Sequence, residues 1–368
     1  MKQKVVFTTI LITTAIFFSQ KTYLLAQTSE TIKDYRGKVL EIIEEKEIEF
    51  PEQEVKQKYQ KLKVLITKGE KEGEEVEVEV GTIPQTQNII YSKGNKVLIN
   101  SYEDIDGNEV FYITDVIRID MLLTLFIIFV LLAIIVGKKK GFFSLLAMAI
   151  SFVIIFLFLL PQIANGKDPV LIAILTSLII IPITFYLSHG LEKKTTISIL
   201  GTLIALVITG ILSNIFVNLT KLSGGATEEA LFLQGISGKN YNLKGLLLAG
   251  IIIGTLGIMD DITISQTSIV YQLFDLKKDI TTKELFKRSM ELGKDHIASM
   301  INTLVLVYTG ASMPLLLLFT NESRTFGEAI NLEPVATEIV RTLVGSIGLI
   351  LAVPITTYIA CLVVKKKK

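Results

Sequence analysis

Seven apolar blocks, each near the roughly 20 residues needed to span the hydrocarbon of a bilayer, fill the chain from residue 121 onward. They run over 121–136, 142–161, 169–187, 195–216, 243–259, 297–319 and 339–364. A water-soluble core has no need of unbroken apolar runs of this length. The blocks therefore predict a membrane all-α bundle over 121–368, with the lipid bilayer as its first partner. Composition agrees: half of the 368 residues are hydrophobic, 20% are charged, and the mean hydropathy is +0.54. A formal net charge of +1 leaves no basic surface to spare for nucleic acid. One cysteine, Cys361, excludes a disulfide framework and a thiolate cluster. Two histidines, His189 and His296, do not make a histidine-rich metal site, and no metal is expected.

The loops between the blocks carry an orientation. Lys138–140, Lys193 and Lys194, the 277–294 segment and Lys365–368 alternate with the other connections, and together they hold fifteen lysines and arginines. The connections on the opposite side, around Lys167, 221–244 and Arg324, hold five. The positive-inside rule then places the first set in the cytoplasm at every crossing, with the C-terminus inside. The membrane expected is the cytoplasmic one, crossed many times.

Residues 1–27 have Lys2 and Lys4, an apolar run from Val5 to Phe18, and a polar exit at Ser19, Gln20 and Lys21. This reads either as a cleaved signal peptide or as an uncleaved anchor helix, and both export the segment from residue 28 onward. From 28 to 120 the chain holds 21 acidic and 13 basic side chains, a balance of −8, so the remainder carries +9. Here the apolar period is two. Glu75-Val76-Glu77-Val78-Glu79-Val80 alternates strictly, Leu62, Val64 and Ile66 alternate too, and turn residues such as Asp106-Gly107-Asn108 fall between. The expectation is a small extracytoplasmic β-barrel or sandwich of five or six strands, OB- or SH3-like. Residues 41–61 are highly charged and read as a short helix or a long loop. The Asp104–Glu109 stretch has glycine fourth rather than sixth, so it reads as a hairpin turn and not as a calcium loop.

Catalytic motifs fail one after another. Gly235-Ile236-Ser237-Gly238-Lys239-Asn240 lacks the earlier glycine of a phosphate loop, with Leu233 at that position, and has Asn240 where Ser or Thr is needed. No zinc-protease or serine-nucleophile motif is present. Asp260 and Asp261 are adjacent, so on a helix they point about 100° apart and cannot share a proton as an aspartyl dyad does. An enzyme is not expected, and neither a cofactor nor a nucleotide is implied.

One constellation survives these exclusions. Gly250 and Gly254 form a small-xxx-small face, extended by Gly257, which allows a close helix neighbour. The run then meets Asp260 and Asp261 and continues through Thr263, Ser265, Thr267 and Ser268. Either Asp260 marks a solvated helix end, or a broken helix places these carboxylates on an ion or solute path. The next block carries Asn302, Thr303 and Thr309. The last carries Gly345 and Gly348 together with Glu338 and Arg341, spaced to pair at its outer end. Each stripe also reads as interhelical hydrogen bonding in a tight bundle.

At these residues the chain resembles the YibE/F-like family of bacterial multi-pass membrane proteins. The resemblance rests on Gly257-Ile258-Met259-Asp260-Asp261-Ile262-Thr263-Ile264-Ser265, on Gly293-Lys294-Asp295-His296-Ile297 continuing to Asn302-Thr303-Leu304, and on Tyr308-Thr309-Gly310-Ala311-Ser312-Met313-Pro314-Leu315. Glu338-Ile339-Val340-Arg341, Gly345-Ser346-Ile347-Gly348 and Pro354 complete it, from about Gly37 to Val364. The resemblance implies an architecture and no substrate. The leading expectation is a secondary transporter or ion-coupled permease for an unidentified small solute or ion. The alternative is a non-catalytic scaffold whose β domain binds an envelope protein.

Overall fold

A computed structural model describes residues 33–50, 55–84, 89–104, 107–237, 241–317 and 325–365. The signal-or-anchor segment, residues 105 and 106 of the expected turn, and Gly238-Lys239-Asn240 lie outside the described residues. The described chain falls into two compact units, one ending at Leu132 and the other starting at Ala133.

The first unit is built on an antiparallel sheet. Its strands are β1 (Lys33–Phe50), β2 (Val55–Lys68), β3 (Glu75–Val80), β4 (Lys96–Glu103) and β5 (Glu109–Val116), in the order β3-β2-β1-β4-β5. Alternation puts Tyr35 and Val39 of β1, Leu62, Val64 and Ile66 of β2, and Val97 and Ile99 of β4 on one buried face. Each such side chain contributes roughly 1.5–3 kcal/mol on burial. An exposed cross-strand ion pair contributes ~0.2–1 kcal/mol. The apolar face therefore sets the register. At Gly37 a Cβ would meet Ile99 Cδ1 at 2.5 Å and Val64 Cγ1 at 2.7 Å, so the core closes over a position only glycine fits. The edge strands β3 and β5 come within contact distance without pairing, which curls a single sheet toward closure. A sandwich of two sheets is not seen among the described residues.

The helix or loop expected over 41–61 is replaced by a long hairpin arm, the far halves of β1 and β2. What its outer part buries is Gln57, Tyr59 and Gln60, so it lacks the apolar alternation that marks a strand. Charge complementarity takes over that role. Glu41, Glu44, Glu47 and Glu49 of β1 face Lys63, Lys61, Lys58 and Lys56 of β2 in register, and Lys56–Glu49 and Lys58–Glu45 close at 2.6 and 3.0 Å. Near β5, the Lys71 ammonium and the Ser101 hydroxyl both donate to the Glu109 carboxylate and hold it below the usual carboxylate range.

The second unit is helical. A helix α1 (Ile119–Ile154) enters it from the sheet unit, passes into a π turn (Ile155–Leu159), and is followed by α2 (Leu160–Ala164), α3 (Pro169–His189) and α4 (Lys193–Leu219). Then come α5 (Glu228–Ser237), α6 (Leu243–Leu276), α7 (Thr282–Ala311), α8 (Met313–Leu316), α9 (Phe326–Ile330) and α10 (Glu333–Lys365). Five helical stretches among the described residues are long and apolar enough to cross a membrane. The difference from seven blocks has two sources. Blocks 121–136 and 142–161 lie in one 46-residue stretch, broken at Lys138 where φ is 51° and ψ is −132°. Block 297–319 holds only the apolar second half of α7, whose first half is charged, and then divides at Ser312 into α8.

Helices α4, α6 and α10 form the centre of this unit, with α3 and α7 packed alongside. Two reciprocal notches join α4 to α10. A Cβ at Gly201 would sit 2.1 Å from Thr356 Oγ1, and one at Gly348 would sit 2.0 Å from Thr209 Oγ1. Gly201 pairs with Thr356 and Thr209 with Gly348, so the helices run antiparallel with a threonine filling each glycine gap.

Candidate functional site

Helix α6 is continuous over 34 residues, through and beyond Asp260. The broken helix is therefore corrected to an unbroken one. Its small polar residues bond back onto their own helix: Thr263 to the Met259 carbonyl at 2.9 Å, Thr267 to that of Thr263 at 2.8 Å, and Ser268 to that of Ile264 at 2.8 Å. Hydroxyls satisfied in this way cause no break in the backbone ladder.

The polar residues of α6 divide among three environments. Thr263 and Thr267 are fully buried against α4, where the Thr202 and Thr263 hydroxyls lie 2.9 Å apart and the Ser198 hydroxyl lies 2.9 Å from Thr267 Oγ1. Gln266 crosses to two other helices, donating to the Ser289 carbonyl of α7 at 2.9 Å and to Thr357 Oγ1 of α10 at 2.8 Å. These bonds are each worth about 0.6–2 kcal/mol inside a membrane bundle. They make a structural seam that does not reach the carboxylates.

Asp260 lies elsewhere, on the wall of a cavity of about 310 Å³ between α1, α3 and α6. Ser144 and Ser151 of α1, Thr184 and Ser188 of α3, and Gly257 of α6 share that wall. The Asp260 side chain is 36% exposed, and its Oδ1 is buried without a hydrogen-bond partner among the described residues. The one basic side chain within 4 Å of it among the described residues is His189, whose Nε2 lies at 3.8 Å, beyond hydrogen-bond reach. Leaving a buried carboxylate oxygen unbonded costs more than pairing it. Such an atom is a ready acceptor for a cation, a proton or a donor group on a solute.

The other candidates are spread over three helices. Asp261 is exposed and Ser265 faces a second cavity, so neither shares the wall with Asp260. Asn302 and Thr303 are exposed on α7, Thr303 donates to its own Ser299 carbonyl at 3.0 Å, and Thr309 is half-buried; none of the three lines the Asp260 cavity. Glu338 and Arg341 pair at 2.8 Å on α10. Gly348 makes the notch described above, a Cβ at Gly345 would lie 3.6 Å from Thr255 Oγ1, and one at Gly254 would reach only the Tyr308 hydroxyl at 3.9 Å. A Cβ at Gly250 or Gly257 would meet nothing within 4 Å. The close approach of helices is therefore made by Gly348 and Gly201, the second of which the small-residue pattern of α6 could not point to.

His189 was not legible as part of this site. It ends α3 at Gly190, whose φ of 81° stops the helix, and it sits just past an apolar block where a loop residue is the ordinary reading. The available signal was that this histidine is one of two in the chain and lies at a helix end on the same side as Lys193 and Lys194.

A family model described as YibE/F-like protein matches residues 125–366, from α1 to the end of α10, and leaves the β sheet outside the match. Neither a curated protein nor a solved structure matches the chain.

Proposed function

The chain belongs to the YibE/F-like protein family, and on that premise we propose that this membrane protein is a secondary transporter or ion-coupled permease with Asp260 on its path. The observation that carries the reading is the unbonded Asp260 oxygen on the wall of a hydroxyl-lined cavity within a helical unit of membrane-spanning composition. Ionisable groups inside membrane bundles are rare, and they usually face a cavity or a partner. Small-solute sites likewise combine a mostly apolar wall with a few placed polar groups. The scaffold alternative has one observation in its favour, the hairpin arm of β1 and β2, whose exposed ion-paired surface suits an envelope protein partner.

The same reading gives the chain seven crossings, the β sheet outside the cytoplasmic membrane and the C-terminus within. The support is the excess of lysine and arginine on alternate connections. A reporter active only in the cytoplasm is expected to work when fused after Lys368 and to be silent when inserted after Gly107. Activity at Gly107 would overturn the orientation. A permease also needs a wetted cavity. In a Cys361→Ala background, Ser151→Cys should react with a small membrane-impermeant thiol reagent from one side of the membrane. A Ser151→Cys protein that stays unmodified from both sides would make the cavity dry and favour the scaffold.

A further inference from the structure

Beside the Asp260 cavity lies a second one of about 380 Å³, lined by Lys140 of α1, His189 of α3, Glu192 and Lys194 at the start of α4, and Ser265 and Ser268 of α6. We propose that this second cavity is a binding site for a phosphate group, either a phospholipid headgroup or a free phosphate or phosphomonoester.

Three features of the lining carry the assignment. The first is charge. Lys140 makes no ion pair among the described residues, and Lys194 is held only by its near neighbour Glu192 at 2.9 Å. His189 lines the same cavity as the two ammonium groups and adds a polar ring to that wall without adding a charge. Two ammonium groups against the one carboxylate of the lining leave a surplus of positive charge in a partly enclosed space, and a cleft with such walls focuses its field.

The second feature is the pair of hydroxyls. Ser265 and Ser268 are three residues apart on α6 and therefore share a face. Both are half-buried and reach the same cavity as the lysines. Ser265 makes no side-chain hydrogen bond among the described residues, and Ser268 can join it by turning its hydroxyl from the Ile264 carbonyl. Such donors beside ammonium groups suit the three or four oxygens of a phosphate, which accept several bonds at once. The third feature is the start of α4. Its N-cap residue Glu192 makes no side-chain cap bond, so this 27-residue helix opens at the cavity with its N-terminus uncapped. Basic pockets between membrane helices are a recognised setting for anionic headgroups.

Glu192 is the one group that opposes the ligand. It occupies Lys194, and a bound phosphate would draw that ammonium away. Glu192→Gln should therefore tighten binding, whereas Lys140→Gln should weaken it. The site does not rest on the permease reading, because binding is measured without any flux.

The experiment uses the full chain in phosphatidylcholine nanodiscs and follows the thermal unfolding midpoint, which a ligand of the folded state raises. One arm adds inorganic phosphate against chloride at matched ionic strength. The other adds phosphatidylglycerol to the disc. A saturable rise in either arm is expected, and Ser265→Ala/Ser268→Ala, which leaves the charge unchanged, should weaken the apparent affinity about tenfold or more, as deletion of a charge-assisted hydrogen bond does. A response to inorganic phosphate alone identifies a free phosphate or phosphomonoester, a response to phosphatidylglycerol alone identifies a headgroup, and both support the site. No rise in either arm would overturn it. So would a rise that the serine variant leaves intact, because a diffuse basic surface has no use for the hydroxyls.

Discussion

Gly348→Ala is expected to destabilise the helical unit by about 1–3 kcal/mol, the usual cost of forcing an extra methyl into a packed interior. Propensity acts in the opposite direction, since alanine is the better helix former by about 1 kcal/mol. Packing wins at this position because the new Cβ would lie 2.0 Å from Thr209 Oγ1 and 2.9 Å from Met259 Cε, so α4 and α10 must separate or Thr209 must move. Thr209 is buried and already bonded to the Ala205 carbonyl at 2.8 Å, which leaves it little room. Thr209→Ala removes the offending oxygen. The double variant should therefore recover part of the loss, giving a coupling free energy that separate sites would not show. Gly250→Ala and Gly257→Ala should be neutral or slightly stabilising, because they open onto free space. Midpoints of thermal unfolding for the five purified variants in one detergent, Thr209→Ala among them, check these expectations. A Gly348→Ala protein as stable as the parent would remove the notch as an element of the fold.

Asp260→Asn is expected to abolish function and leave the fold in place. The amide keeps the shape of the side chain and can occupy the same cavity wall, and no structural partner is lost because Oδ1 has none to lose among the described residues. Removing a buried charge from a membrane bundle, if anything, relieves it. What disappears is the anionic acceptor. A contact of that kind is worth roughly 3 kcal/mol when charge-assisted, which corresponds to about a hundredfold in affinity or rate. Asp261→Asn is the natural control: Asp261 is adjacent in sequence but exposed, and it does not line the cavity. The contrast between the two aspartates separates a loss at the path from a general loss of charge near it.

Much of the architecture is legible in the chain because a single physical demand writes it. Burial of backbone polar groups in lipid requires long helices, so apolar blocks announce themselves, and half-buried strands such as β3 announce themselves by alternation. The β1–β2 arm was hidden because neither of its faces is apolar; its signal was the run of glutamates on one strand set against lysines on the next. The continuity of α6 was hidden for a different reason. Threonine and serine after Asp260 look like helix-breaking chemistry, yet Thr263, Thr267 and Ser268 return their hydroxyls to the preceding turn. The site is the least legible part. Asp260 stood out as a charge among apolar residues, but its neighbours come from α1 and α3, far away in the chain and polar only through single hydroxyls and one histidine. Spacing within α6 suggested Thr263 as a companion, whereas tertiary packing turned it toward Thr202.

The central claim is that Asp260 serves a path through the membrane. It is tested most directly by complementation of a deletion strain with Asp260→Asn and Asp261→Asn, with the amount of each protein in the membrane measured in the same cells. The account predicts that Asp260→Asn is present at normal abundance and fails to complement, while Asp261→Asn complements. Full complementation by Asp260→Asn at normal abundance would contradict it.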